Sequence, residues 1–141
     1  MMKKRFIDAS TILYAILEPI QDLPSNLARM KSNAKQILLR INKGERVLTS
    51  VVHLSEIANI LEARCSFNEV SSFVTDLLMK ESFEVCDVTK ADYQGAAVLA
   101  KRYQVGINDS LAKLVMNREK ISEIYSFDKH FDNLNVSRIT D

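Results

Sequence analysis

The chain is poor in residues that break or staple a backbone. Its 141 residues include three glycines, two prolines, two cysteines and no tryptophan. Collagen-like repeats, glycine-rich linkers and proline-rich tracts are excluded. So few breakers favour helices over a turn-dense all-β fold. Cys65 and Cys86 lie far apart and belong to no CxxC pair. They fit a reduced, cytoplasmic chain, and no structural disulfide is expected. An excess of one charge is missing too: 19 basic residues against 18 acidic ones leave +1. That balance argues against a globally basic nucleic-acid coat and leaves room for a local basic surface. No apolar run reaches the roughly 18 residues that a membrane helix needs. The opening Met1-Met2-Lys3-Lys4-Arg5 has the charge of a signal peptide, but Asp8 interrupts the apolar stretch and no small-residue cleavage site ends it. Neither GxGxxG nor a Walker sequence occurs, which disfavours dinucleotide and P-loop sites.

What is present is an apolar content of 47 %, enough for a real core, in a length that suits one domain over 1–141. A short strand at 6–7 stops at Asp8. A helix follows, with Ser10-Thr11 available as caps and Ile12, Leu13, Ile16 and Leu17 at apolar spacing. Pro19 and Pro24 bracket a loop over 18–23. A second helix spans 25–42 and ends at Gly44. A strand at 46–49 leads into a helix capped by Thr49 or Ser50 and reaching about residue 64. Ser66-x-x-Glu69 and Thr89-x-x-Asp92 open two further helices, with a strand at 83–88 between them. A short helix covers 108–117, and strands follow at 124–126 and 135–138. Strands alternating with helices imply parallel pairing through right-handed crossovers, with helices on both faces of one sheet. In such sheets chemistry lies beyond the carboxyl ends of the strands.

Four acids occupy positions of that kind. Asp8 directly follows the first strand, where a lone aspartate is often a turn or cap residue. Glu56 lies opposite the main apolar stripe of its helix, among Val52, Ile60 and Ala63. There it requires an Arg or Lys partner, an edge position in water, or a ligand. Asp109 opens the helix at 108, which the helix dipole alone would favour. Asp128 follows the fourth strand, a usual turn position, and Asp132 is a fallback one helical turn later. Like charges converging without compensation would be prohibitive. A divalent cation removes the conflict, and oxygen-only ligands select Mg²⁺ or Mn²⁺.

Phe6-Ile7-Asp8-Ala9-Ser10, Ser55-Glu56, Asn108-Asp109-Ser110-Leu111-Ala112 and Ser126-Phe127-Asp128-Lys129-His130-Phe131 resemble the motifs of the PIN domain family. They are most similar to those of the small VapC-type ribonucleases of prokaryotic toxin–antitoxin pairs. The resemblance covers nearly the whole chain. It implies a three-layer α/β/α fold with a parallel sheet of four or five strands, and a Mg²⁺- or Mn²⁺-dependent ribonuclease acting in the cytoplasm. It places Asp8, Glu56, Asp109 and Asp128 in the acidic site, with Asp8 and Asp109 as the surest metal ligands. Ser10, Asn108 and Ser126 match supporting positions. It also implies an RNA substrate, products with a 3′-hydroxyl and a 5′-phosphate, a cognate antitoxin and a two-fold homodimer. PIN domains in RNA processing without an antitoxin, and catalytically silent binding modules, are the alternatives within the family.

Competing constellations are weaker. A haloacid-dehalogenase-like phosphatase wants a second acid two residues after the first, where Ser10 stands. A receiver domain wants an acidic pair on the preceding strand, and none is visible. His53 and Glu56 are three apart on a helix but have no partner histidine for zinc. His130 reads as a surface residue or a phosphate contact. Basic residues gather loosely at Lys31, Lys35, Arg40 and Lys43, and at Lys101 and Arg102, as a solvated face or an RNA contact.

Overall fold

A computed structural model describes residues 3–19 and 21–141. Met1 and Met2 of the charged start, and Ile20 of the loop at 18–23, lie outside the described residues. The chain runs β1 (Arg5–Ile7), α1 (Ala9–Ile16), α2 (Ser25–Asn42), β2 (Val47–Ser50), α3 (Val51–Glu62), α4 (Phe67–Met79), β3 (Phe83–Cys86), α5 (Lys90–Tyr103), α6 (Ile107–Arg118), β4 (Glu123–Tyr125) and β5 (Ser137–Ile139). A 3₁₀ turn, Lys129–Asn133, precedes β5. The five strands form one parallel sheet in the order β3-β2-β1-β4-β5.

The central strands β1, β2 and β4 are largely buried, while the edge strands β3 and β5 are partly exposed. Alternation sends neighbours to opposite sides. Ile7, Val47 and Tyr125 join the core beneath α1, α2, α3 and α4, while Phe6, Leu48 and Ile124 join the core beneath α5 and α6. The expected three layers are thereby formed, with five strands.

Local signals set the helix ends. The Ser66–Glu69 and Thr89–Asp92 capping boxes are both closed in both directions. Ser50 is the cap of α3, accepting the His53 N–H. Gly44 takes φ +117°, a region that side chains resist, and so turns the chain from α2 into β2. Gly95 permits close approach of α5 and α6, since a Cβ there would lie 3.0 Å from Leu114 Cδ1. One expectation is corrected. Neither Ser10 nor Thr11 caps α1: the helix starts at Ala9, and Asp8 occupies the cap position without a side-chain capping bond. Asp8 and Ser10 are engaged with each other instead.

The chain fills the sheet outward from β1 to β3, then crosses back to β4 and β5. The order therefore reverses between β1 and β4, and a crevice opens beyond their carboxyl ends. Asp8 leaves β1 there, and Ser126 to Asp128 leave β4.

Candidate active site

Two serines join the segments on either side of the crevice. The hydroxyls of Ser10 and Ser126 each donate to Asp8 Oδ2 at 2.9 Å. In turn, Ser10 Oγ accepts the Phe127 N–H at 3.2 Å and Ser126 Oγ accepts the Asp128 N–H at 3.0 Å. Asp8 is buried, and the β4 loop is stitched to it through hydroxyl groups that accept on one side and donate on the other. Ser10 and Ser126, the two hydroxyls expected as supporting residues, are thus the ones bonded to Asp8.

Asp128 begins the 3₁₀ turn, its Oδ1 accepting the His130 N–H at 2.9 Å. It is both a turn aspartate and a member of the acidic group. His130 Nδ1 lies 3.2 Å from Asp128 Oδ1 and 3.6 Å from Asp109 Oδ2. Asp109, in the first turn of α6, is the most perturbed acid: its pKa is pushed up to about 6, by burial first, then by Asp128 and Asp8, against a lowering by His130. Glu56 is half-buried and also raised, by burial first and then by Asp8. Asn108 Nδ2 approaches Glu56 Oε1 at 3.5 Å. Among the described residues no Lys or Arg forms an ion pair with any of these four acids. An Arg or Lys counter-ion for Glu56 is thereby excluded among them.

Glu56, Asn108, Asp109, Asp128 and His130 line one cleft of ≈ 520 Å³, together with Tyr93. The cleft fits a divalent cation by its donor set. An oxygen of Asp109, an oxygen of Asp128 and a nitrogen of His130 all lie within 4.8 Å of one another. Adjacent ligands on an octahedral ion with bonds of about 2.1 Å stand about 3 Å apart. Asp8 and Glu56 are not members of that tightest group. They are coupled to it electrostatically, since Asp8 raises both Asp109 and Glu56. Asp132 points elsewhere, bonded to Arg138 at 3.0 Å.

Three further residues stand at or beside the cleft, of which Tyr93 carried no reading in the sequence. Tyr93 donates its hydroxyl to Asn108 Oδ1 at 3.0 Å. His53 is buried and hydrogen-bonded through both ring nitrogens, which leaves neither for zinc. His130 joins the acids directly. The sequence signals were the spacing of His130 two residues from Asp128 and of His53 three residues from Glu56. The basic residues of α2 are partly spoken for: Lys31 caps main-chain carbonyls of Tyr14 and Leu17, and Arg40 bonds Glu45 and Tyr125.

The fold and site thus define a parallel α/β domain with an acidic crevice at its switch point. A profile of the PIN domain matches residues 5–136, and the chain belongs to the PIN domain family. No curated protein sequence matches it. Among solved structures it is similar to VapC20 of Mycobacterium tuberculosis, described as a Sarcin-Ricin loop cleaving toxin. The TM-score is 0.77 at 20 % sequence identity, over 98 % of this chain and 100 % of that one. At that identity the likeness is one of fold.

Proposed function

We propose that this chain, as a single domain over 1–141, is a Mg²⁺- or Mn²⁺-dependent endoribonuclease and the toxin of a toxin–antitoxin pair in the cytoplasm. The observation that carries the reading is the convergence of Asp8, Glu56, Asp109 and Asp128, from four separate segments, without an Arg or Lys partner among the described residues. Unpaired buried carboxylates are costly, and a cation is the economical remedy. Membership of the PIN family and the fold shared with a Sarcin-Ricin loop cleaving toxin support RNA as substrate.

In this reading Asp8, Asp109 and Asp128 hold the cation, with His130 Nδ1 beside them. When bound, a divalent cation lowers the pKa of water and offsets phosphodiester charge. Ser10 and Ser126 keep Asp8 turned toward the crevice by occupying Oδ2. Glu56, without a strong partner of its own, accepts a hydrogen bond from the attacking water and orients it toward phosphorus. Attack by water, not by the ribose 2′-hydroxyl, leaves a 3′-hydroxyl and a 5′-phosphate. The apolar groove of Val51, Val52 and Ile60, which shares Glu56 and Asn108 with the cleft, supports a homodimer or antitoxin contact. No helix of the described residues is long and apolar enough to cross a membrane.

The test is RNA cleavage by the purified protein with Mn²⁺, with Mg²⁺ and with EDTA, followed by end-group analysis. Cleavage with either ion, lost in EDTA and in Asp109→Asn, is expected. Cleavage that persists in EDTA, or a 2′,3′-cyclic end, would reject the mechanism.

A further inference from the structure

Glu56 rides on α3 and Asp109 on α6, and a single buried side chain spans the two. His53 lies three residues before Glu56 on α3 and is 1 % exposed. Its Nε2 is 3.0 Å from the main-chain oxygen of Asn108, and its Nδ1 is 2.6 Å from Ser50 Oγ. A carbonyl oxygen only accepts, so Nε2 carries the proton. In a neutral imidazole Nδ1 then accepts the Ser50 hydroxyl proton, and burial keeps this ring neutral by lowering its pKa. Ser50 Oγ meanwhile accepts the His53 N–H at 3.2 Å, so the ring is held from both ends. The ring of Phe6 packs against it in a T-shaped contact, with centroids 5.1 Å apart.

Asn108 is the residue before Asp109, and it is held three ways. His53 takes its main-chain carbonyl, Tyr93 donates to its Oδ1, and its Nδ2 faces Glu56. We propose that His53 is a positioning residue that sets the Asp109 carboxylate opposite Glu56 by anchoring the main chain of Asn108. Its consequences for metal affinity and cleavage rest on the reading above; the anchor itself, read by hydrogen exchange and the state of the ring, does not. Groups that orient metal ligands from behind typically change affinity or activity by about 10- to 100-fold when removed.

Two amide variants separate the roles. His53→Gln places an N–H donor near the position of Nε2 and can still reach Asn108. His53→Asn places its amide near Nδ1, satisfies Ser50 and stops short. Each is measured for Mn²⁺ affinity by calorimetry, for amide hydrogen exchange at Ser110 and Leu111, and for kcat and KM on RNA. His53→Asn should bind Mn²⁺ at least about tenfold more weakly, exchange faster at Ser110 and Leu111, and lose kcat with KM within about threefold. His53→Gln should recover most of each loss. A merely structural role would lower the melting temperature of both variants without separating them, and equal Mn²⁺ affinity and exchange in the two would overturn the proposal. If the wild type cleaves no RNA, the ribonuclease reading fails while the exchange data still decide on His53. If neither variant folds, ¹⁵N spectra of the wild-type imidazole decide: a proton on Nδ1 instead of Nε2 overturns the anchor, and a slowly exchanging Nε2–H supports it.

Discussion

Replacing Asp109 by asparagine should stabilise the metal-free protein while abolishing its chemistry. The Asp109 side chain is 17 % exposed, and its pKa stands at about 6 against an ordinary 3.8. The folded state therefore binds this proton more tightly than the unfolded state does. Stability falls as pH rises from about 4 to about 6, then stays lowered above that window. The penalty at pH 7.5 is about 3 kcal/mol, at 1.36 kcal/mol per pH unit. At pH 4.5 only the lowest part of the window between the two pKa values has been crossed, and the penalty is about 1 kcal/mol. An asparagine is neutral at both pH values and escapes the penalty at each, so the gain from Asp109→Asn should shrink about threefold between them. The upper figure corresponds to roughly 9 °C in melting temperature for a domain of this size. Glu56→Gln should act in the same direction, since burial and Asp8 raise that carboxyl too.

The assay is urea and thermal unfolding of wild type and Asp109→Asn in EDTA at pH 7.5 and 4.5, then with millimolar Mn²⁺ at pH 7.5. Mn²⁺ should stabilise the wild type, by about 2.7 kcal/mol at a hundredfold excess over Kd, and close most of the gap. A variant no more stable than wild type in EDTA at pH 7.5 would refute the repulsion argument. A wild type indifferent to Mn²⁺ would refute its connection to metal.

Much of the fold was legible because its signals are local. The stripe of α2 predicts 25–42, the observed span, because eighteen residues give an amphipathic period room to declare itself. Both capping boxes are likewise contained within four residues. The 3₁₀ turn at Lys129–Asn133 is too short to show a period, and it escaped. At the site, the positions of Asp8 and Asp128 follow from strand ends plus the switch-point rule. What they touch does not. The bond from Ser126 to Asp8 crosses 118 residues of sequence, and that from His53 to Asn108 crosses 55. No spacing rule reaches across such gaps, so the sequence can set a zinc site aside for His53 but cannot show what its ring holds. Tyr125 shows the same limit on the other side of β1. Its phenol, at a strand end, accepts from Arg5 at 2.6 Å and Arg40 at 3.2 Å and donates to Glu45. The sequence shows only a strand residue and a loose group of basic side chains.

Four further outcomes are expected. Asp8→Asn should reduce metal-dependent RNA cleavage by orders of magnitude with the circular dichroism spectrum unchanged, because its remaining carbonyl oxygen can still accept from Ser10 and Ser126. Ser126→Ala breaks the link between Asp128 N–H and Asp8, in a residue that is fully buried, and should cost about 1–3 kcal/mol in urea unfolding as well as activity. Tyr125→Phe removes the partner of Arg5, Arg40 and Glu45, and should cost about 1–3 kcal/mol in the same assay without changing Mn²⁺ affinity. The last concerns assembly. Val51 and Ile60 are each 40 % exposed beside the cleft, and Phe67, Leu78 and Met79 are more exposed still on α4. Apolar surface of that kind is normally covered by a partner. A two-fold interface needs only one self-complementary patch, of about 800 Å² on each copy for a stable pair. Light scattering should therefore give twice the 16.0 kDa of the chain at micromolar concentration. Ile60→Lys should halve that mass while leaving the far-ultraviolet spectrum intact, since it buries a charge only in the assembled form. A mass near 16.0 kDa at every micromolar concentration would reject the dimer.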